Sequence, residues 1–222
     1  MNENIIESAR SINQSVQQLY TDIQNGENES AVLMGEHLLI EAYTLWNKSQ
    51  KIPSATPDAA FTLAMAASAY CDALASVGNF RDAYGISLGA ITNIVNIEST
   101  ASSTPQFSHS MLQLYLTVWQ NLHRILSSAT PAQEPEVVNH VETITRYIGS
   151  MLYHYYYAVG HQSPDNPLLM PAYEAIRDIS SLIKIETETI SVSNTPVKPT
   201  ASLPLIRDLV ARSNALSLIN LD

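Results

Sequence analysis

Seven side chains able to do chemistry fall on one stripe. His140, Thr143, Tyr147, Ser150, His154, Tyr157 and His161 follow alternating steps of three and four, the spacing that keeps residues on one side of an α-helix. Around them runs Tyr153-His154-Tyr155-Tyr156-Tyr157. Imidazole moves protons or holds metals, and a phenol joins a large apolar ring to a polar tip. Spacing decides between these uses. His140 and His154 lie about 21 Å apart along a helix, and His154 and His161 about 10 Å, so neither pair shares one ion. Recognition by hydrogen bonding and stacking remains, with His140, Tyr147, His154, Tyr157 and His161 as the expected contact residues. The competing reading is a central helix buried on two sides, its hydroxyls satisfied internally.

Other reactive types are scattered. His37 with Glu41, and Glu136 with His140, stand four apart, but neither forms an HExxH or a duplicated ExxH pattern. Cys71 is the single cysteine, so no intramolecular disulfide forms. It sits mid-helix among alanines without a cationic neighbour, which makes it a small buried residue rather than a thiolate nucleophile. No G-x-S-x-G, P-loop or G-x-G-x-x-G occurs. The expectation is no catalytic residue, no metal and no cofactor.

Charge narrows the partners. A net charge of −10 with 11 Lys and Arg disfavours nucleic acid, whose phosphates need clustered cations. The first residues, Met1-Asn2-Glu3-Asn4-Ile5-Ile6-Glu7, carry no basic segment before an apolar one, unlike a secretory signal. Residues 99–123 hold no Asp, Glu, Lys or Arg, yet Ser, Thr, Gln, Asn and His interrupt them too often for the ~20 apolar residues of a membrane span. A buried helix accounts for that stretch. The chain reads as soluble and cytoplasmic, without a membrane partner.

The elements that position these residues are helical. Ile5, Ala9, Ile12, Val16, Leu19 and Ile23 open the pattern, and Met34, Leu38, Ala42, Leu45 and Trp46 continue it. An alanine-rich third helix over 57–77 precedes a fourth over 80–96 that contains Gly85 and Gly89. Glycine inside a helix costs about 0.8–1 kcal/mol relative to alanine, so two on one face point to a close backbone neighbour. Fifth, sixth and seventh helices follow at about 105–127, 131 or 135–159, and from Pro171. Residues 183–192 alternate with β-branched types and read as fraying helix or short strand. A loop over 194–204 leads to a terminal helix over 205–218. Thr56-Pro57, Thr104-Pro105 and Thr130-Pro131 offer hydroxyl caps with proline at the first helical position, and Gln133 completes a capping box with Thr130. The expectation is one all-α domain over 1–222, with seven or eight helices in antiparallel hairpins at 3–47, 57–97, 105–159 and 171–218.

One turn occurs twice, 52 residues apart: Asn25-Gly26-Glu27 before Ala31, Met34 and Leu38, and Val77-Gly78-Asn79 before Ala83, Ile86 and Ala90. The second hairpin, with Gly78-Asn79-Phe80, Ala83 and Ala90, resembles a tetratricopeptide repeat. The first resembles it through Gly26, Ala31 and Leu38. The offset is longer than that family's 34. The resemblance implies a right-handed α-α superhelix, with a compact bundle as the alternative, and a concave groove for a peptide or protein. A non-enzymatic scaffold for a basic or apolar segment is therefore the first functional reading. A small-molecule-binding domain or enzyme, with a pocket lined by Tyr147, His154 and Tyr157, is the second. Self-association through an open end of the stack is a third.

Overall fold

Ile5, Ala9, Ile12, Val16 and Leu19 become the buried side of α1 (Asn2–Gln24). The same periodicity builds six more helices in the computed structural model of the chain, which describes residues 2–52, 55–94, 105–128 and 135–183. They are α2 (Asn28–Ser49), α3 (Thr56–Ser76), α4 (Phe80–Ile94), α5 (Pro105–Ser128), α6 (Pro135–Gln162) and α7 (Leu169–Ile183). The described residues are all-α, without a strand. The terminal helix, the alternating run after Ile183 and the Thr104 and Thr130 caps lie outside them.

The repeated turn has one geometry in both places. Gly26 and Gly78 adopt φ of 81° and 84°, left-handed values that glycine alone takes without penalty. At the first, Gly26 N–H donates to the Ile23 carbonyl and Glu27 N–H to that of Asp22. At the second, Gly78 N–H donates to Ala75 and Asn79 N–H to Leu74. Both are Schellman caps, which pair the carbonyls a helix end leaves open. The entry to α3 differs from expectation. Thr56 lies inside the helix, and its hydroxyl donates back to the Ser49 and Ile52 carbonyls instead of capping.

Packing follows an alternating plan. Each helix packs on its neighbours in sequence, and the odd-numbered helices also pack on one another: α1 on α3, α3 on α5, α5 on α7. One apolar cluster runs from Ile5 to Ile179. The charge-free stretch becomes α5, where Met111, Leu112, Leu114, Tyr115, Val118 and Leu122 are fully buried around the helix. A helix apolar all round belongs inside. Asp58–Ser76 is long and apolar enough to cross a membrane, and most of it is buried within the stack.

The backbones of α2 and α3 approach closely. A Cβ at Gly35 would stand 2.6 Å from Tyr70 Cδ2 and 3.1 Å from Tyr70 Cα. The pair expected to mark such a contact does not: nothing lies within 4 Å of a Cβ at Gly85, and at Gly89 the nearest atom is the Tyr43 hydroxyl at 3.8 Å. The alanines of α3 take the central position instead. Ala59, Ala60, Ala66, Ala67, Ala69 and Ala73 are all fully buried, so four helices reach α3 at short distance.

Equivalent positions of the two copies also touch. The Tyr20 hydroxyl donates to Asp72 Oδ2 at 3.2 Å, 52 residues on. Burial pushes the Asp72 carboxyl up to about 6, against the Tyr20 hydrogen bond and the Arg124 charge, which pull it down. A carboxyl raised above its ordinary 3.8 stabilises the fold fully below that value, and the contribution is lost as pH rises through about 6.

Two measurements check this architecture. Gly35→Ala should lower the urea midpoint, because overpacking costs about 1–3 kcal/mol and exceeds the ~1 kcal/mol gained in helix propensity; Gly85→Ala should raise it, through a stability gain of about 0.5–1 kcal/mol. Asp72→Asn keeps an acceptor for Tyr20 without the charge. It should stabilise the protein at pH 7.5 by about 1–3 kcal/mol and flatten the loss of stability that runs from the ordinary 3.8 to about 6.

Candidate functional site

The stripe on α6 divides among different surroundings. Tyr147 turns inward, its hydroxyl 2.8 Å from that of Tyr115 on α5, with ring centroids 6.1 Å apart. Tyr115 in turn stacks on Tyr155 at 5.8 Å. His154 is half-buried, its ring 5.0 Å from Tyr155, and burial lowers its pKa toward the neutral imidazole. Tyr157 joins Tyr153 at 4.8 Å and Tyr156 at 5.9 Å. Tyr156 meets Tyr173 of α7 at 6.4 Å. His161 is exposed at the helix end, and the His140 side chain lies outside the described residues.

α6 is thus buried along one side and exposed along another. Ile144, Ile148, Met151 and Tyr155 face the core, and Tyr147 is satisfied there by Tyr115. The outward edge is an aromatic patch, with Tyr157 and Tyr173 each 52% exposed and Met170 67%. Tyr147 and His154 stand about 10 Å apart along the helix and His154 and Tyr157 about 5 Å, and the three turn to different neighbours.

Reactive groups elsewhere are held quiet. The Cys71 thiol donates to the Ala83 carbonyl at 3.0 Å, and burial, aided by Asp72, pushes its pKa up. His109 accepts at Nδ1 from the Asn166 amide at 2.8 Å, while Asn166 Oδ1 accepts from Leu168 N–H. The bond ties the α6–α7 connection to α5 and suits a neutral ring, whose pKa burial lowers. Among the described residues, no three His, Cys, Asp or Glu side chains gather to hold a metal.

A second surface lies on the odd-numbered helices. A groove of about 610 Å³ is lined by α1, α3 and the start of α5. Ile6, Ala9, Phe61 and Phe107 supply apolar area; Arg10, Asn13, Gln14, Gln17, Asp58 and Thr62 supply polar groups. Its size falls among ligand-binding clefts, about 300–1,000 Å³. A smaller crevice of about 320 Å³ separates α1 from α2, between Ser8, Ser11, Ile40 and Thr44. The sequence signal for the groove is faint. Asn13, Gln14 and Gln17 flank the apolar side of α1 like ordinary solvated residues, and only the arrival of α3 makes them the rim of a groove.

Comparisons with protein-family models, with curated proteins and with solved structures found no match for this chain.

Proposed function

We propose that the chain is a non-enzymatic helical scaffold that holds a peptide or protein segment on the face of its odd-numbered helices. The groove over α1, α3 and α5 carries the reading, because three successive odd helices contribute to it and mix apolar with hydrogen-bonding groups. Clefts of that make-up bind through buried apolar area and are oriented by a few polar groups. The alternating packing supports a tetratricopeptide-like stack, whose first helices share one concave face. Matched Schellman caps at Gly26 and Gly78 support reading the first two hairpins as copies. At −10 the scaffold favours a basic or apolar partner over an acidic one. The aromatic edge of Tyr153, Tyr156, Tyr157 and Tyr173 is a second contact area for a large partner, since exposed tyrosines suit recognition.

Selection of random ten-residue peptides on the purified chain tests the proposal. Gln14→Trp fills the groove from an exposed position, and Thr44→Trp fills the α1–α2 crevice instead. Selected peptides should bind Gln14→Trp at least tenfold more weakly than wild type and Thr44→Trp equally well. Failure to enrich any peptide, or equal binding to all three proteins, would reject the groove as the site.

A further inference from the structure

Asn13 is where the groove departs from ordinary packing. Its amide nitrogen donates to Thr62 Oγ1 across 3.5 Å, and the Thr62 hydroxyl donates its own proton to the Asp58 carbonyl at 2.9 Å. Thr62 therefore offers Asn13 only lone pairs, which orients the amide nitrogen toward it. Asn13 Oδ1 is left buried without a hydrogen-bond partner among the described residues. Ser68, Tyr84 and Asn121 carry such an oxygen too, but none of them lines the groove. An unpaired buried acceptor destabilises a fold, and an apolar side chain would remove the penalty. Oδ1 is closed off from the groove as it stands, so accepting from an occupant requires the carboxamide to turn, and the long bond to Thr62 makes that turn cheap.

The remaining wall suits a main chain. Asn13 and Gln17 stand one turn apart, about 6 Å. An extended chain presents N–H groups to the same side every two residues, about 6.6 Å. From Ile6 to Gln17 the wall runs about 16 Å, the length of about five extended residues. Arg10 and Asp58 bring opposite charges to it, so it attracts no net charge although the whole chain is strongly acidic. Dipoles complement such a wall: carbonyls turn to Arg10, and N–H groups to Asp58 and to Asn13 Oδ1. Ile6, Phe61 and Phe107 give the apolar floor.

Resting on the peptide-binding reading above, we infer that the groove takes an extended segment through its main chain. Asn13 accepts one main-chain N–H, and every second side chain, apolar, lies on the floor. The occupant is read by backbone and alternation, not by a charged side chain.

A ten-residue peptide selected on the full chain is the probe. Each of its main-chain N–H groups is N-methylated in turn, and binding to wild type and to Asn13→Ala is read by fluorescence anisotropy. Methylation at one position should weaken wild-type binding at least tenfold and change Asn13→Ala binding less than twofold. Asn13→Ala should bind the parent peptide about tenfold more weakly, with its thermal midpoint level or raised. Alanine substitution of peptide side chains should hurt at alternate positions. A flat methyl scan, or a methyl effect undiminished in Asn13→Ala, overturns the inference while leaving peptide binding intact. A lowered midpoint with unchanged affinity also overturns it, by making Asn13 structural. If replacing one lysine or arginine of the peptide by norleucine abolishes binding while every methylated form binds, the read-out is a charge and the inference falls. If no peptide is enriched at all, the scaffold reading itself fails, and the inference with it.

Discussion

The contact of α2 with α3 at Gly35 and Tyr70 is the constraint on which the other placements depend. Dispersion falls steeply with distance, so a helix rich in alanine can hold its neighbours only if they come close. α3 does this on several sides, with Ala59, Ala60, Ala66, Ala67, Ala69 and Ala73 fully buried and α1, α2, α4 and α5 packed against it. Gly35 permits a close approach of this kind, Tyr70 Cα being 3.1 Å from where its Cβ would stand. Once α3 is fixed, α1 and α5 are set on either side of it, and the groove over the three follows.

Periodicity made most of this legible in the sequence. Ile5 to Leu19, Leu38 to Trp46 and Leu112 to Leu122 kept their burial, because a stripe of apolar residues has few alternatives to a core. The doubled turn was legible as well, since left-handed φ at Gly26 and Gly78 is a property of the residue itself. Helix contacts of single residues were not. Gly85 and Gly89 look like a close-packing face, yet that contact belongs to Gly35. Helical glycine tells that a neighbour is permitted, not that one is present. Thr56 likewise had the composition of a cap but found the Ser49 and Ile52 carbonyls nearer.

The candidate surfaces divide along the same line. The tyrosine stripe of α6 was visible because it is local, and its exposed end at Tyr157 was foreseeable from one helix. What sent Tyr147 inward was Tyr115, thirty-two residues away on another helix, and no local pattern contains that partner. The groove is less local still. Its walls come from α1, α3 and α5, and each contributes residues that would pass alone for solvated surface or core edge.

Stability and recognition pull against one another at that groove. Thr62 is fully buried and gives its proton to a carbonyl of its own helix, as buried threonines in helices commonly do. Asn13 gains little from it, since 3.5 Å is the outer limit of a hydrogen bond, and its oxygen gains nothing among the described residues. Several polar groups elsewhere in the stack bond at shorter range: Tyr147 to Tyr115, Asn166 to His109, Ser87 to the Ala83 and Tyr84 carbonyls, while Ser68, Tyr84 and Asn121 share the unpaired state of Asn13 away from the groove. A carboxamide that both packs poorly as a polar group and borders a cleft is better understood as half of an interaction than as a failed one. Its missing half must bring a donor into a space with an apolar floor, and a peptide N–H does so without importing a charge that burial would penalise.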